Sequence, residues 1–425
     1  MDSRTLTDLI SIPLFTGVLG YLTNWTGVLM LFKPLRFFGV PIPALRTMSR
    51  RPGRRARALP LVSHAGAVGW QGIVPARADT MARTAMDLVL GTEVAGATEL
   101  YRELEPERIA ERLAALAQPQ IRGVVEQIAR TDHPQLWRDL PRVAREGVHA
   151  RVQAQLPQIV QHLAGELGSD LGQFVDARQL VTRYFLAHPE QLNELFVSAG
   201  RRELRFIQNF GFYFGVPMGF VLFAIVQVYS RWWVLPVGGV LIGCAVNYLG
   251  LTMLFAPVHP RRWIPWHQAL LIRCQREVGE QFATSVADDV MTVDSIARDL
   301  LTGLRSERTM RLLQDTLRPA VGTAIGPARA AVRAAIGSRE YDQIRLSAGT
   351  DTAQLLPPAV DGTDLDSRQA AKVRTFVTLR MHKLVPDEFV ALLRSAIAQD
   401  EWLLLVHGGL LGLLAGLVHL ALFGA

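Results

Sequence analysis

The chain has 425 residues, of which 49% are hydrophobic, and its formal net charge at pH 7 is +7. Its mean hydropathy is positive, which is typical of a chain that lies partly in lipid and argues against a wholly water-soluble protein. Only two cysteines are present, so the sequence contains no disulfide framework.

Four segments are long and apolar enough to cross a bilayer, which takes about 20 residues as a helix. They lie at 9–32, 210–229, 233–255 and 402–423, and none contains Asp, Glu, Lys or Arg. The first segment follows Asp2, Arg4 and Asp8 rather than a basic cluster, and no small-residue cleavage site comes after it. We therefore interpret it as a retained membrane anchor and not as a secretory signal.

Basic residues beside these spans predict their orientation, because Lys and Arg concentrate on the cytoplasmic side. Lys33, Arg36 and Arg46 follow the first span, Arg201, Arg202 and Arg205 precede the second, and Arg261 and Arg262 follow the third. Arg231 is the one basic residue in the short turn between the second and third spans. We expect both termini outside and both large loops in the cytoplasm.

Between the spans the sequence has the periodicity of amphipathic helices. One stripe of apolar residues at spacings of three and four runs from Val148 to Phe174, with Pro157 expected to kink the helix, and another runs from Val278 to Leu304. Strand patterns are scarce, so the predicted fold is an all-α integral membrane protein. Its predicted regions are a first span (1–33), a cytoplasmic helical region (34–209), a transmembrane hairpin (210–256), a second cytoplasmic helical region (257–401) with an exposed linker near 347–366, and a last span (402–425).

One motif occurs in both the first and the third span. GYLTNWTGVLMLFKP at 20–34 and GCAVNYLGLTMLFAP at 243–257 follow the pattern G-x-x-x-N-x-x-G-x-x-M-L-F-x-P. The matching residues are Gly20, Asn24, Gly27, Met30, Leu31, Phe32 and Pro34 in the first copy, and Gly243, Asn247, Gly250, Met253, Leu254, Phe255 and Pro257 in the second. This internal repeat predicts a pseudo-two-fold axis along the membrane normal, across which Asn24 faces Asn247.

The spacing of Gly20, Asn24 and Gly27 places them on one face of a helix. Small residues and amides are the usual means of helix association in lipid, so we interpret the motif as a helix-packing device. The alternative is that the two amides line a polar path or bind a ligand at the repeat interface. Pro34 and Pro257 are expected to end their helices at the cytoplasmic headgroups.

Glycines spaced by four in the other two spans also indicate close helix packing, within the bundle or between protomers. They are Gly211, Gly215 and Gly219 in the second span and Gly408, Gly412 and Gly416 in the fourth. His407 and His419 point to different sides of the fourth span, so we interpret them as satisfied or interfacial residues rather than ligands of one site.

A basic cluster, RRPGRRAR, lies shortly after the first span. We interpret its arginines as contacts to anionic lipid headgroups and exclude nucleic acid as the partner, because they lie beside a membrane exit. They are Arg50, Arg51, Arg54, Arg55 and Arg57. The segment Trp70–Pro75 is interpreted as a tight turn. We expect Trp263-Ile264-Pro265, after the third span, to be its counterpart.

No set of residues in the sequence predicts catalysis. Phosphate-binding loops, zinc-protease motifs, paired Cys-x-x-Cys motifs and nucleophile elbows are all missing. Asp288 and Asp289 are adjacent on a predicted helix and point in different directions, which favours a solvated acidic face over a metal pair. We therefore expect no enzyme, cofactor or metal, and we leave open a second copy of the chain or another protein as partner.

The motif residues resemble those of the YheB/YjiN-type bacterial inner-membrane proteins, a family with a domain of unknown function. The resemblance rests on GYLTNWTGVLMLFKP, on GIVPARADTMA at 72–82 and on the second copy NYLGLTMLFAP. It implies a mostly helical, membrane-anchored bacterial protein and implies no activity. The leading hypothesis is a non-enzymatic anchored protein that organises or contacts lipids or partners at the inner membrane. A transport or channel component is the alternative.

Overall fold

The computed structural model of the chain describes residues 3–41, 67–91, 94–229, 231–335 and 363–423. Most of these residues are helical. In chain order the first helices are α1 (Ser3–Phe32), α2 (Ile73–Ala76), α3 (Ala78–Leu90), α4 (Val94–Arg102), α5 (Pro106–Asp132), α6 (Pro134–Asp139), α7 (Arg142–Ala154), α8 (Leu156–Ser169), α9 (Ala177–Ala187) and α10 (Pro189–Ala199). The later helices are α11 (Arg201–Val228), α12 (Val234–Phe255), α13 (Gln275–Ser285), α14 (Val293–Thr302), α15 (Ser306–Ala335), α16 (Thr363–His382), α17 (Pro386–Ile397) and α18 (Glu401–Phe423).

Short irregular helices complete the path of the chain. Two 3-10 turns lie at Leu171–Gln173 and Leu270–Cys274, and a π-helical turn lies at Val286–Val290. Two strands, β1 (Phe38–Pro41) and β2 (Ala67–Trp70), pair antiparallel with Phe38 opposite Trp70. This sheet is not predicted from the sequence, because four-residue strands are too short to display a period of two.

The prediction of four helices that are long and apolar enough to span a membrane is confirmed. Helices α1, α11, α12 and α18 are each long and apolar enough to cross a membrane. Helix α11 begins at Arg201, nine residues before the predicted start of its apolar segment, so its basic residues form the first turns of the spanning helix. A helix of this length exceeds the roughly 20 residues needed for the hydrocarbon core and extends into the headgroup layer.

The described chain forms two compact units. The spanning unit contains Met1–Val89, Val181–Phe282 and Thr378–Ala425, and therefore all four apolar helices. The second unit contains Leu90–Leu180 and Ala283–Val377.

In the spanning unit, α1 packs antiparallel to α11 and α12 packs antiparallel to α18. A Cβ built at Gly20 of α1 would collide with the carbonyl oxygen of Gly211 on α11, and one built at Gly243 of α12 would collide with that of Gly408 on α18. Both contacts require glycine because the two backbones approach too closely for any side chain. Helix α1 also contacts α12 and α18, which joins the two pairs into one bundle.

The second unit is a helical assembly in which α5 packs against α8 and α14, and α15 packs against α7. Tyr101 fixes one turn of it: its hydroxyl donates to the carbonyl of Val175 at 2.9 Å and accepts from the amide of Ala177 at 3.1 Å. Burial raises the pKa of Tyr101 above its usual value. Arg305 donates to the carbonyls of Gly172 and Val175 at the same turn.

Several sequence expectations in these helical regions need correction or fall outside the described residues. Pro157 does not kink one helix: α7 ends at Ala154 and the proline lies in the first turn of α8, where its missing N–H has no cost. Leu304 is 77% exposed, because α14 ends at Thr302 before the apolar stripe reaches it. The predicted linker at 347–366 lies outside the described residues up to 362, and α16 already begins at Thr363.

Candidate functional site

The two motif asparagines are buried inside the spanning unit and make the same kind of hydrogen bond. Asn24 is 3% exposed, and its Nδ2 donates to the carbonyl oxygen of Ile207 on α11 at 2.7 Å. Asn247 is 5% exposed, and its Nδ2 donates to the carbonyl oxygen of Leu404 on α18. Each amide therefore joins its helix to the neighbouring antiparallel helix.

The amide oxygens lie at the contact between α1 and α12. A Cβ built at Gly250 would lie 3.5 Å from Oδ1 of Asn24, and a Cβ built at Gly27 would lie 3.5 Å from Oδ1 of Asn247. The two motif copies thus meet at the same depth, with each asparagine opposite the second glycine of the other copy. Helix α1 runs antiparallel to α11, and the short turn before α12 reverses the chain again, so α1 and α12 run parallel.

The six glycines of the second and fourth spans lie within the bundle. Gly215 approaches the backbone of Thr16 and Gly219 approaches Pro13, while Gly412 approaches Gly239 and Gly416 approaches Pro236. Together with Gly211 and Gly408 they line the two closest helix contacts. The sequence left open whether these glycines pack within the bundle or between protomers. In the structure they pack within the bundle.

The Met-Leu-Phe part of each motif joins the spans to the short helices beside them. Leu31, Phe32, Leu254 and Phe255 are all buried, and they line a small apolar crevice. The crevice is completed by side chains from α2, α3, α10, α11, α17 and the 3-10 turn: Val74, Met81, Phe196, Leu204, Leu271, Leu393 and Ile397. The Met-Leu-Phe motif therefore supplies core residues where the bundle ends.

After both motifs the chain is held by the same three hydrogen bonds, which we call the exit clamps. In the first clamp, Trp70 Nε1 donates to the carbonyl of Lys33 at 3.1 Å, and the Gly72 amide donates to that of Pro34 at 2.9 Å. Gln71 Nε2 donates to the carbonyl of Leu35 at 2.9 Å. The peptide bond before Pro34 is cis. The three hydrogen bonds hold residues 70–72 against residues 33–35, which directly follow α1.

The second clamp repeats this arrangement after α12. Trp266 Nε1 donates to the carbonyl of Ala256 at 2.8 Å, and the Ala269 amide donates to that of Pro257 at 2.8 Å. Gln268 Nε2 donates to the carbonyl of Val258 at 2.9 Å. The bond before Pro257 is also cis.

The sequence comparison of Trp70–Pro75 with Trp263-Ile264-Pro265 is therefore wrong in its register. Trp266 occupies the position that corresponds to Trp70, and Trp263 is 96% exposed. The correct match could have been found from a tryptophan with a glutamine one or two residues later. These residues are Trp70-Gln71 in the first copy and Trp266-His267-Gln268 in the second. One inserted residue obscures the match, and that residue, His267, has a positive φ of 60°.

A buried ion pair lies next to the first clamp. Arg77 Nε and Nη2 donate to Oδ2 of Asp400 at 3.2 and 3.1 Å, with side-chain exposures of 14% for Arg77 and 0% for Asp400. The corresponding residue after the second clamp is Cys274, five residues beyond Ala269 as Arg77 is five beyond Gly72. Burial raises the pKa of the Cys274 thiol to about 12, and the negative charge of Glu203 acts in the same direction.

Of the two histidines expected to be satisfied or interfacial, both His407 and His419 have a buried Nδ1 atom without a hydrogen-bond partner. His419 shares a hydrogen bond with the Ser11 hydroxyl, Nε2 to Oγ at 3.1 Å, and packs edge-on against Phe15. Asp288 forms an ion pair with Arg374 at 2.6 Å. Among the described residues, no group of three or more His, Cys, Asp or Glu side chains is placed to hold a metal ion. The basic cluster Arg50, Arg51, Arg54, Arg55 and Arg57 lies outside the described residues.

Comparisons with protein-family models, with curated proteins and with solved structures found no match to this chain.

Proposed function

We propose that this protein is a membrane-anchored helical protein of the bacterial inner membrane, without enzymatic activity, that organises or contacts lipids or protein partners. Its two long loops lie in the cytoplasm. The main support for the proposal is the hydrogen bonding of the two buried asparagines in the spans. The Nδ2 donors of Asn24 and Asn247 are both bonded to backbone carbonyls of neighbouring spans, so these amides join helices together. A bundle built in this way acts as an anchor.

The resemblance to the YheB/YjiN-type proteins agrees with this proposal and adds the bacterial inner membrane as location. We further propose that the chain contains two copies of one structural unit, each with a motif span, an exit clamp and a glycine-rich partner span. The matching hydrogen bonds of the two clamps support this, as do the matching bonds of the two asparagines. Two copies related by a pseudo-two-fold axis would place both exits at the same end of the bundle.

The orientation is tested by thiol labelling of single-cysteine variants in a background with Cys244→Ala and Cys274→Ala. A Cβ at Gly123 or Gly322 would meet nothing within 4 Å, so cysteine is tolerated at both. We expect Gly123→Cys and Gly322→Cys to react with an impermeant maleimide only after the cells are opened. Arg231→Cys, in the exposed turn between α11 and α12, should react in intact cells. Labelling of Gly123→Cys or Gly322→Cys in intact cells would overturn the proposed orientation.

A transport or channel component is the second candidate, because both asparagine oxygens lie at the contact between α1 and α12. It is tested with Asn24→Cys in the same cysteine-free background. A water-filled path predicts that a small hydrophilic thiosulfonate reagent modifies this cysteine as fast as it modifies Arg231→Cys. A packed contact predicts modification slower by about 100-fold or more, because the reagent and the thiolate that it attacks both require water. Fast modification would favour transport over the anchored role.

A further inference from the structure

Both membrane exits expose large apolar side chains next to basic ones. After α1, Phe38 on β1 is 81% exposed, and Lys33 and Arg36 beside it are also exposed. After α12, Trp263 is 96% exposed and follows Arg261 and Arg262, which are exposed as well. A side chain as large as tryptophan is seldom left almost fully in water.

These side chains are held close to the ends of the spans. Each exit clamp ties the loop to the first residues beyond its helix, and Phe38 lies six residues after the end of α1. Trp263 lies in a turn closed by its own backbone bonds, from Ile264 N to the carbonyl of Arg261 at 3.3 Å and from His267 N to that of Ile264 at 2.9 Å. These backbone bonds hold the turn in place. The Trp263 side chain is almost fully exposed, so it points away from the protein.

The positive charge of the loop after α12 indicates that its ligand is anionic. Neither Arg261 nor Arg262 has an ion-pair partner among the described residues. A guanidinium group can bind a carboxylate or a phosphate through two parallel hydrogen bonds. Tryptophan is enriched at the membrane interface, where its ring lies at headgroup depth. The headgroup layers add about 5 to 8 Å on each side of the hydrocarbon core, which is within reach of a loop clamped to the helix end.

We propose that the loop Arg261-Arg262-Trp263 is a binding site for anionic phospholipid of the same membrane leaflet. The two guanidinium groups bind the lipid phosphate, and the Trp263 ring enters the interfacial layer beside it. The first exit offers a matching arrangement with Lys33, Arg36 and Phe38. This inference rests on the proposed membrane anchoring and adds the chemistry of the lipid and the residues that bind it.

The test is a titration of the purified full-length protein in detergent with dioleoylphosphatidylglycerol, with bound lipid counted by native mass spectrometry. The variant is Arg261→Gln with Arg262→Gln. The control is Arg276→Gln with Arg311→Gln, which removes the same charge from exposed positions elsewhere. Basic residues near a membrane surface contribute about 1 kcal/mol each, so the variant should bind this lipid roughly 10- to 30-fold more weakly. The control should remain within about threefold of the unmodified protein.

Two results would overturn the proposal. One is equal phosphatidylglycerol binding by the variant and the control, and the other is equal affinity of the unmodified protein for dioleoylphosphatidylcholine, which carries no net charge. A nitroxide on Trp263→Cys in phosphatidylglycerol vesicles gives an independent measurement. It should be more accessible to oxygen than to a water-soluble nickel complex. If these experiments fail while Gly123→Cys is still protected in intact cells, only the lipid site is lost and the anchored role stands.

Discussion

The pair α1–α11 and the pair α12–α18 pack alike but differ in charge beside the exit clamps. Both pairs use glycine contacts and one asparagine amide bonded to a carbonyl of the partner helix. Next to the first clamp, however, Arg77 forms a buried ion pair with Asp400, which lies directly before α18 of the second copy. Next to the second clamp the corresponding residues are Cys274 and Glu203, and Glu203 lies in the first turn of α11. The shared packing therefore depends on small residues and amides. The ion pair joins the first copy to the second and is formed beside the first clamp, whereas Cys274 and Glu203 beside the second clamp form no such pair.

The strongest test of this comparison is to fill the glycine contact in each pair. Gly20→Leu and Gly243→Leu should each destabilise the protein by about 3 kcal/mol or more, because a side chain would have to displace a carbonyl oxygen of the facing backbone. Thermal unfolding in detergent measures the effect. Gly123→Leu is the control, since a Cβ there meets nothing within 4 Å. A large effect in only one pair would show that the two contacts are not equivalent.

The ion pair should give an effect of similar size. Arg77→Met leaves the Asp400 carboxylate buried without its partner, and breaking a buried pair in this way costs about 3 to 5 kcal/mol. Glu203→Gln, at the position on α11 that corresponds to Asp400, should change stability by less than about 1 kcal/mol. The double variant Arg77→Met with Asp400→Leu should recover most of the loss, since apolar replacements of buried pairs are often neutral. Equal instability of the single and double variants would contradict this explanation.

The asparagine bonds should contribute less. Asn24→Ala and Asn247→Ala should each lower the unfolding free energy by about 0.6 to 2 kcal/mol, which is the range for hydrogen bonds between membrane helices. Thr26→Ala is a suitable control, because the Thr26 hydroxyl donates to Leu22 of its own helix at 2.6 Å. Unfolding in detergent again provides the measurement, and a difference of more than about 1 kcal/mol between the two asparagine variants would contradict the comparison.

The exit clamps should give the smallest effect. Trp70→Phe and Trp266→Phe each remove one N–H donor while keeping an aromatic ring, and should cost about 0.5 to 1.5 kcal/mol. Trp263→Phe should leave stability in detergent unchanged, because its ring contacts almost nothing. If Trp263→Phe destabilised the protein as much as Trp266→Phe, the assignment of Trp266 to the second clamp would be wrong.

The sequence was sufficient to predict the spans, because hydropathy depends only on local composition. It also predicted most of the buried stripe in α7 and α8, where Val148, Val152 and Leu163 are buried. It could not predict that α1 pairs with α11, because apolar helices with glycines are interchangeable until packing selects among them. The motif suggested that Asn24 and Asn247 meet, yet each amide lies opposite a glycine of the other copy.

Two other features could not have been found from local patterns. The Arg77–Asp400 pair joins residues 323 positions apart, and nothing in the phrase GIVPARADTMA around Arg77 points to Asp400. The sheet of β1 and β2 is made of two four-residue strands separated by a long stretch of sequence. Both depend on contacts between distant parts of the chain, about which hydrophobic periodicity carries no information.

The distance between Arg77 and Asp400 along the chain has a consequence for biosynthesis. At about 5 to 20 residues per second, the ribosome needs roughly 16 to 65 seconds to add the 323 residues that separate them. For the first part of that time α1 has no glycine-rich partner, and the Asn24 amide has no carbonyl from α11 until 183 more residues are made. A chain interrupted before α18 leaves an arginine and an amide of α12 without their acceptors.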